Sequence, residues 1–209
     1  MITDRRRLGP DGDARLVRRV GAAARAGVHL VQIRERDLEG GPLVQLVAAC
    51  VEAVRGTRTR ILVNDRLDVA VAAGAHGVHL RAASLPAWRA RTVVPAGFLI
   101  GRSVHSVEEG VRTAGEGGAD YLIFGTVFPT ASKPGQAAAG VEALAAIVAA
   151  TSLPVLAVGG ITAATAAEVS RAGAAGLAAI GLFAAEADQF LQVTVSEVNM
   201  AFDTPSRVP

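Results

Sequence analysis

The polar residues that could do chemistry fall in a few short clusters, each directly behind an apolar run. In Leu30-Val31-Gln32-Ile33-Arg34-Glu35-Arg36 the side chains of an extended chain alternate. Val31 and Ile33 then face a helix layer, while Leu30, Gln32 and Arg34 point to the opposite side. A guanidinium buried there is costly unless it meets an anion. Arg34 therefore either pairs with Glu35 or Asp65, or awaits a ligand phosphate, which suits its fixed donor fork. In Leu62-Val63-Asn64-Asp65 an amide and a carboxylate end a second apolar run. Asp65 can cap a helix starting there, hold a Mg2+ ion together with substrate phosphates, or do both.

Three further clusters carry phosphate-binding chemistry. Ser103 follows the run ending at Gly101 and is either a turn residue or a ligand contact. The segment Thr126 to Gly140 contains Thr130-Ala131-Ser132-Lys133-Pro134-Gly135, with two hydroxyls and an ammonium close together, the composition of a phosphate clamp or of an ordinary surface loop. Gly159-Gly160 and Ile180-Gly181 end the last two apolar runs, where backbone N–H groups can approach a phosphate. The histidines say less. His29 and His76 read as structural, His79 as a core residue, and His105 stands near a helix start. No Cys/His cluster suggests zinc, and Cys50 lies on a helix face away from any nucleophile signature.

These clusters need a frame. Strand-length apolar runs recur at Val28–Ile33, Arg60–Val63, Gly77–Leu80, Phe98–Gly101, Tyr121–Gly125, Val155–Gly159 and Leu177–Gly181. Most are continuous, as in strands covered on both faces. Between them lie helical patterns at Ala14–Ala26, Pro42–Arg55, Asp65–Ala73, Val107–Ala114, Val141–Ala150 and Ala163–Ala172. Glycine repeatedly follows a helix and precedes a strand, as at Gly27, Gly74, Gly118 and Gly173, which is the helix-ending position that takes left-handed backbone. Ser106 and Glu109 form a capping box. Alternating strands and helices mean right-handed βαβ units and a parallel sheet. With Ile2-Thr3-Asp4 as the tail of an eighth strand, the expected fold is α/β, a small single-domain (β/α)8 barrel. On that expectation the first strand is truncated and the natural start lies upstream. An open doubly wound sheet is the alternative, although no G-x-G-x-x-G follows the first strand. The barrel rule puts all five clusters on one rim, at the C-terminal ends of the strands.

Composition agrees with a packed enzyme-sized domain. Of the 209 residues, 51% are hydrophobic and 19% charged, which excludes global disorder. The single cysteine excludes a disulfide framework and fits a reducing compartment. A net charge of +2 without clustering does not suggest a nucleic-acid binder. No signal peptide or bilayer-spanning run stands out, so a cytoplasmic protein is expected. The domain is expected to cover 1–195, with 196–209 a loosely held tail; the sequence is silent on oligomeric state.

Taken jointly, Gln32-Ile33-Arg34-Glu35-Arg36, Asn64-Asp65-Arg66, Gly77-Val78-His79-Leu80, Phe128-Pro129-Thr130-Ala131-Ser132-Lys133-Pro134 and Ala157-Val158-Gly159-Gly160-Ile161 resemble the thiamine-phosphate synthase/TenI family across nearly the whole chain. The resemblance implies a TIM barrel that joins 4-amino-2-methyl-5-hydroxymethylpyrimidine diphosphate to a thiazole phosphate with release of pyrophosphate. It implies that Gln32, Arg34, Arg36 and Asn64 bind the pyrimidine diphosphate and that Asp65 holds Mg2+. It implies that Ser103 and Lys133 contact the diphosphate, that Thr130 and Ser132 meet the thiazole ligand, and that Gly160, Ile180 and Gly181 hold its phosphate. Arg34, Asp65, Ser103 and Lys133 are then the catalytic set.

Two departures divide the subfamilies. The synthases usually carry Gly-Gln-x-Asp after the His-Leu pair, where this chain has Arg81-Ala82-Ala83-Ser84. Ser84 thus replaces the second metal carboxylate, and a hydroxyl is a far weaker Mg2+ ligand. Arg36 and Gly101-Arg102-Ser103-Val104-His105-Ser106 look closer to the TenI branch, the thiazole tautomerases, yet the histidine associated with that isomerisation is Thr126 here. The synthase reading ranks first. A TenI-type tautomerase and a non-catalytic thiazole-phosphate binder are the alternatives, and Arg81 is a candidate to meet the diphosphate in place of lost metal charge.

Overall fold

The computed structural model describes residues 1–130, 135, 137–183 and 188–203. Seven strands, β1 (Leu30–Ile33), β2 (Arg60–Asn64), β3 (Gly77–Leu80), β4 (Leu99–Val104), β5 (Tyr121–Phe124), β6 (Val155–Val158) and β7 (Gly176–Ala178), pair in sequence order. Every pairing is parallel, in registers such as Gln32 beside Leu62 and His79 beside Gly101. Helices α1 (Gly12–Arg25), α2 (Gly40–Ala53), α3 (Leu67–Ala72), α4 (Ala87–Arg91), α5 (Val107–Glu116), α6 (Gly140–Ala150), α7 (Ala163–Arg171) and α8 (Asp188–Asp203) alternate with the strands. The sheet curls until its two edges meet across residues 1–3. Ile2 bridges Gln32, and its N–H donates to the Ala179 carbonyl at 2.9 Å. The Gln32 N–H donates to the Met1 carbonyl at 2.9 Å, and the Thr3 N–H to the Gln32 carbonyl at 3.0 Å. The eighth strand expected at Ile2-Thr3-Asp4 is therefore a single bridge between two edges and not a ladder.

The alternation read from the sequence sets the layers. Val31 and Ile33 are buried against α1 and α2, in a core with Leu16, Val20, Leu43, Val47 and Cys50. A second outer core joins Leu122 and Phe124 to Leu144 and Ile147 of α6. Inside the barrel, Leu62, Tyr121, Ile123 and Ala178 pack with Ile2, Leu30 and Leu156. Each aliphatic side chain buried in these layers contributes on the order of 1.5–3 kcal/mol, which is what holds a chain so poor in aromatics together. Cys50 is fully buried on α2, and burial pushes its thiol up to about 12.

The helix-ending glycines do what their position requires: Gly27 takes φ 97° and Gly173 φ 83°. Ser106 caps α5 by accepting from the Glu109 N–H, while the Glu109 carboxylate takes the His105 N–H instead of returning to Ser106. Three boundaries differ from the sequence reading. Helix α3 begins at Leu67, not Asp65, and β4 runs on to Val104, so Ser103 is a strand residue and not a turn residue. Ser196 to Asp203, within the expected loose tail, form the last turns of α8, with Val198 buried. No helix among the described residues is long and apolar enough to cross a membrane.

Candidate functional site

The C-terminal ends of the strands surround a cavity of about 670 Å3. Gln32, Arg34 and Arg36 reach it from the end of β1, Asn64 from β2, His79 and Arg81 from β3 and beyond, and Ser103 from β4. Thr130, Gly160, Ile180 and Gly181 line its far side. The structure thus brings together all the described residues that the sequence singled out for ligand contact except Asp65, which sits just behind the rim. Ser132 and Lys133 lie outside the described residues. A larger cavity, about 750 Å3, opens at the opposite end of the barrel, but chiefly apolar side chains such as Leu62, Leu156, Val195 and Phe202 line it. Chemistry belongs to the polar mouth.

Each polar group in the mouth is positioned by a partner beneath it. The Gln32 amide N–H2 donates to Asn64 Oδ1 at 3.0 Å, which orients both amides and leaves the Gln32 carbonyl oxygen and the Asn64 N–H2 for a ligand. Glu35 is buried and does not pair with Arg34. Its carboxylate accepts from the Thr3 hydroxyl at 2.5 Å and from the Arg5 N–H at 3.0 Å, while burial raises its pKa. Thr3 in turn accepts the Arg34 N–H at 2.9 Å. The Arg34 side chain meets no carboxylate among the described residues, and burial together with neighbouring Arg36 holds its pKa below the usual value. An internal salt bridge of Arg34 to Glu35 or Asp65, one of the two readings of the sequence, is absent. Among the described residues no Asp or Glu lines the cavity, whereas Arg7, Arg34, Arg36 and Arg81 do. Such a field favours a polyanion.

His79 forms a second, neutral layer. It is 2% exposed, and burial pushes it down to about 4, so it is uncharged near neutral pH. Its Nε2 lies 2.8 Å from the Ser103 hydroxyl and its Nδ1 3.3 Å from the Tyr121 hydroxyl. Gly101 makes room for this line: a Cβ there would sit 2.6 Å from His79 Nδ1. His79 is thus a satisfied core residue, as its sequence context implied, and it also aims Ser103. At the other side of the mouth, Gly160 holds φ 63° and packs so tightly on the carbonyl of Pro129 that a Cβ would come within 2.4 Å of it. Gly181 has open space around it and begins a short 3-10 turn, Gly181–Phe183, whose N–H groups lie at the rim.

Asp65 departs most from expectation. It does not cap α3, whose N-cap is Arg66 without a side-chain bond. Its own backbone is left-handed, φ 60°, and its N–H donates to the His79 carbonyl at 2.9 Å. One carboxylate oxygen accepts from Arg81 Nε at 2.6 Å and the other from the Ser84 hydroxyl. Among the described residues no group of three His, Cys, Asp or Glu side chains could hold a metal ion. A lone carboxylate with both oxygens engaged, one of them by a cation, does not fit Mg2+, which prefers near-octahedral oxygen ligands. Nothing in the sequence signals the ion pair, because Arg81 returns to Asp65 only through the turn that Ser84 closes: the Ser84 N–H donates to the Arg81 carbonyl and the Arg81 N–H to the Ser84 hydroxyl.

Comparison with known proteins agrees with this geometry. A family profile described as thiamine monophosphate synthase matches residues 1–183. The chain is 48% identical over 170 residues to the thiamine-phosphate synthase of Methanoculleus marisnigri, covering 79% of each chain. It is 39% identical over 150 residues to that of Chlorobium luteolum, covering 71% of this chain and 70% of the relative. Among solved structures it resembles the thiamine phosphate pyrophosphorylase of Pyrococcus furiosus, with a TM-score of 0.81 and 32% identity over 96% of this chain and 93% of the other. A 3-hexulose-6-phosphate synthase at 19% identity and a TM-score of 0.68 shares the fold alone.

Proposed function

The chain belongs to the thiamine monophosphate synthase family, and from that premise we propose that it joins the pyrimidine diphosphate to thiazole phosphate, releasing pyrophosphate and forming thiamine phosphate. The observation that carries the reading is the Arg34 guanidinium, set beside Arg36 in a mouth that no carboxylate of the described residues lines. A guanidinium fork is the natural partner of phosphate oxygens. In this reading Gln32 and Asn64, locked to each other, present amide groups to the pyrimidine ring, and Arg34 and Arg36 take its diphosphate. The C–O bond to the diphosphate breaks, and its electron pair leaves with the phosphate oxygen. The pyrimidine methylene cation that remains is captured by the thiazole nitrogen lone pair. The site contributes by stabilising charge on the leaving group and by holding two partners in contact. The thiazole phosphate goes to the turns at Gly160 and Ile180-Gly181, with Thr130 beside it, and Ser103 completes the diphosphate side; the contacts that the resemblance implies for Ser132 and Lys133 lie outside the described residues.

One observation favours the tautomerase as a second reading. His105 lies on the same rim and donates from Nδ1 to the Gly125 carbonyl at 2.6 Å, next to Thr126, so this contact leaves its Nε2 for a ligand. The two readings separate in one pair of assays. Purified protein with pyrimidine diphosphate and thiazole phosphate is expected to yield thiamine phosphate and pyrophosphate together. Turnover confined to the non-aromatic thiazole tautomer, followed by absorbance, supports the isomerase instead. Binding without turnover in either assay leaves a non-catalytic binder.

A further inference from the structure

A synthase of this family that lacks its second metal carboxylate must still neutralise a departing diphosphate, and the turn from Arg81 to Ser84 shows a different means of doing so. Arg81 is anchored through a single nitrogen, Nε, on Asp65. Its terminal Nη groups carry no hydrogen bond among the described residues, and Arg81 lines the cavity together with Arg34 and Arg36. The anchor is itself braced. Ser84 donates to the other Asp65 oxygen. Arg102 holds the turn from the next strand, donating to the carbonyls of Leu85 at 2.5 Å and Ala82 at 2.8 Å. Arg81 remains half exposed while Asp65 is mostly covered, so the carboxylate serves as the fixed base and the guanidinium as the presented head. A divalent cation at Asp65 would have to displace Arg81 or lie against its like charge, and both are unfavourable.

We propose that the diphosphate subsite of this protein is metal-independent, with Arg81, tethered by Asp65, supplying the positive charge for the leaving group. The proposal rests on the synthase reading for the identity of the substrate, not for the geometry. A guanidinium can offer two parallel N–H groups to one phosphate and needs no dehydration of a bound ion. Asp65 becomes a positioning residue for Arg81.

The test uses the intact protein. Inorganic pyrophosphate, titrated calorimetrically in excess EDTA, is expected to bind the wild-type protein. Arg81→Ala should weaken that binding roughly ten- to hundredfold, the range of a lost charge-assisted contact, and Arg81→Lys by a smaller factor. Circular dichroism checks that the lysine variant keeps the native fold. Electron paramagnetic resonance should find no Mn2+ held by the wild-type protein, whereas the double variant Arg81→Gly with Ser84→Asp should gain a Mn2+ site. Pyrophosphate binding that appears only with Mg2+, equal binding by Arg81→Ala, or a wild-type Mn2+ site lost in Asp65→Asn would each overturn the proposal. Product formation abolished by EDTA and restored by Mg2+ also overturns it while leaving the synthase reading intact. Pyrophosphate bound in EDTA through Arg81, without product from the two substrates, upholds the arginine site and removes the synthase reading.

Discussion

A half-buried cation without a carboxylate lowers stability, and among the described residues Arg34 meets that condition at the end of β1 with only its backbone N–H engaged, on Thr3. The physical reading is that the group is stabilised by ligand and not by the fold. Replacing Arg34 with Ala should therefore reduce kcat/KM on the order of a hundredfold, with the melting temperature unchanged or slightly raised. A steep fall in melting temperature would show that Arg34 has an internal partner after all. His79 makes the opposite kind of prediction. Its folded pKa, about 4, lies below the ordinary 6.5, so the unfolded chain takes up a proton first as the solution is acidified. Its contribution is full above pH 6.5 and is lost as the pH falls through 4, amounting to a few kcal/mol. Glu35, whose pKa is raised, works the other way. Urea unfolding of the wild type and of His79→Gln at pH 7 and pH 5 isolates the histidine: the variant should lose less stability between the two pH values. Most of these residues were legible from the sequence because alternation along a strand fixes which side chain points inward. The Arg81 pairing was not, because it depends on how a four-residue turn folds back onto β2.

At the scale of elements, the strand cores were readable and the edges were not. Ser103 and Arg102 look like turn residues after the apolar Phe98–Gly101 run, yet β4 continues through them, since its neighbour β5 offers ladder partners up to Phe124. Helix α4 leaves no periodic signal because it spans only five residues, and it starts behind Pro86. The extension of β4 is what carries Ser103 to His79, and Gly101 is the position it depends on. An added methyl there would lie 2.1 Å from a ring carbon of Tyr121. Gly101→Ala is expected to destabilise the protein by about 1–3 kcal/mol, and to lower activity further by shifting the His79–Ser103 contact. Chemical denaturation and steady-state rates on the same sample check both. An alanine variant of native stability and full activity would mean that the β4–β5 contact relaxes freely.

For the whole molecule, the decisive geometry is the meeting of the sheet edges across residues 1–3. Thr3 is the buried keystone: its hydroxyl donates to Glu35 and accepts from the Arg34 N–H, linking closure of the barrel to placement of the phosphate-facing arginine. Thr3→Val keeps the shape and removes both bonds. It should cost about 1–3 kcal/mol in unfolding free energy and raise KM for the diphosphate substrate, read out by urea titration and initial rates. Equal stability would show that Glu35 finds another donor. The closed fold has one more implication, for Cys50. With its thiolate suppressed and its sulfur sealed between α2 and the sheet, a maleimide cannot react until that wall parts. The chain therefore carries a native clock, and its labelling rate in mild denaturant should time how often α2 lifts away, with or without pyrophosphate in the mouth.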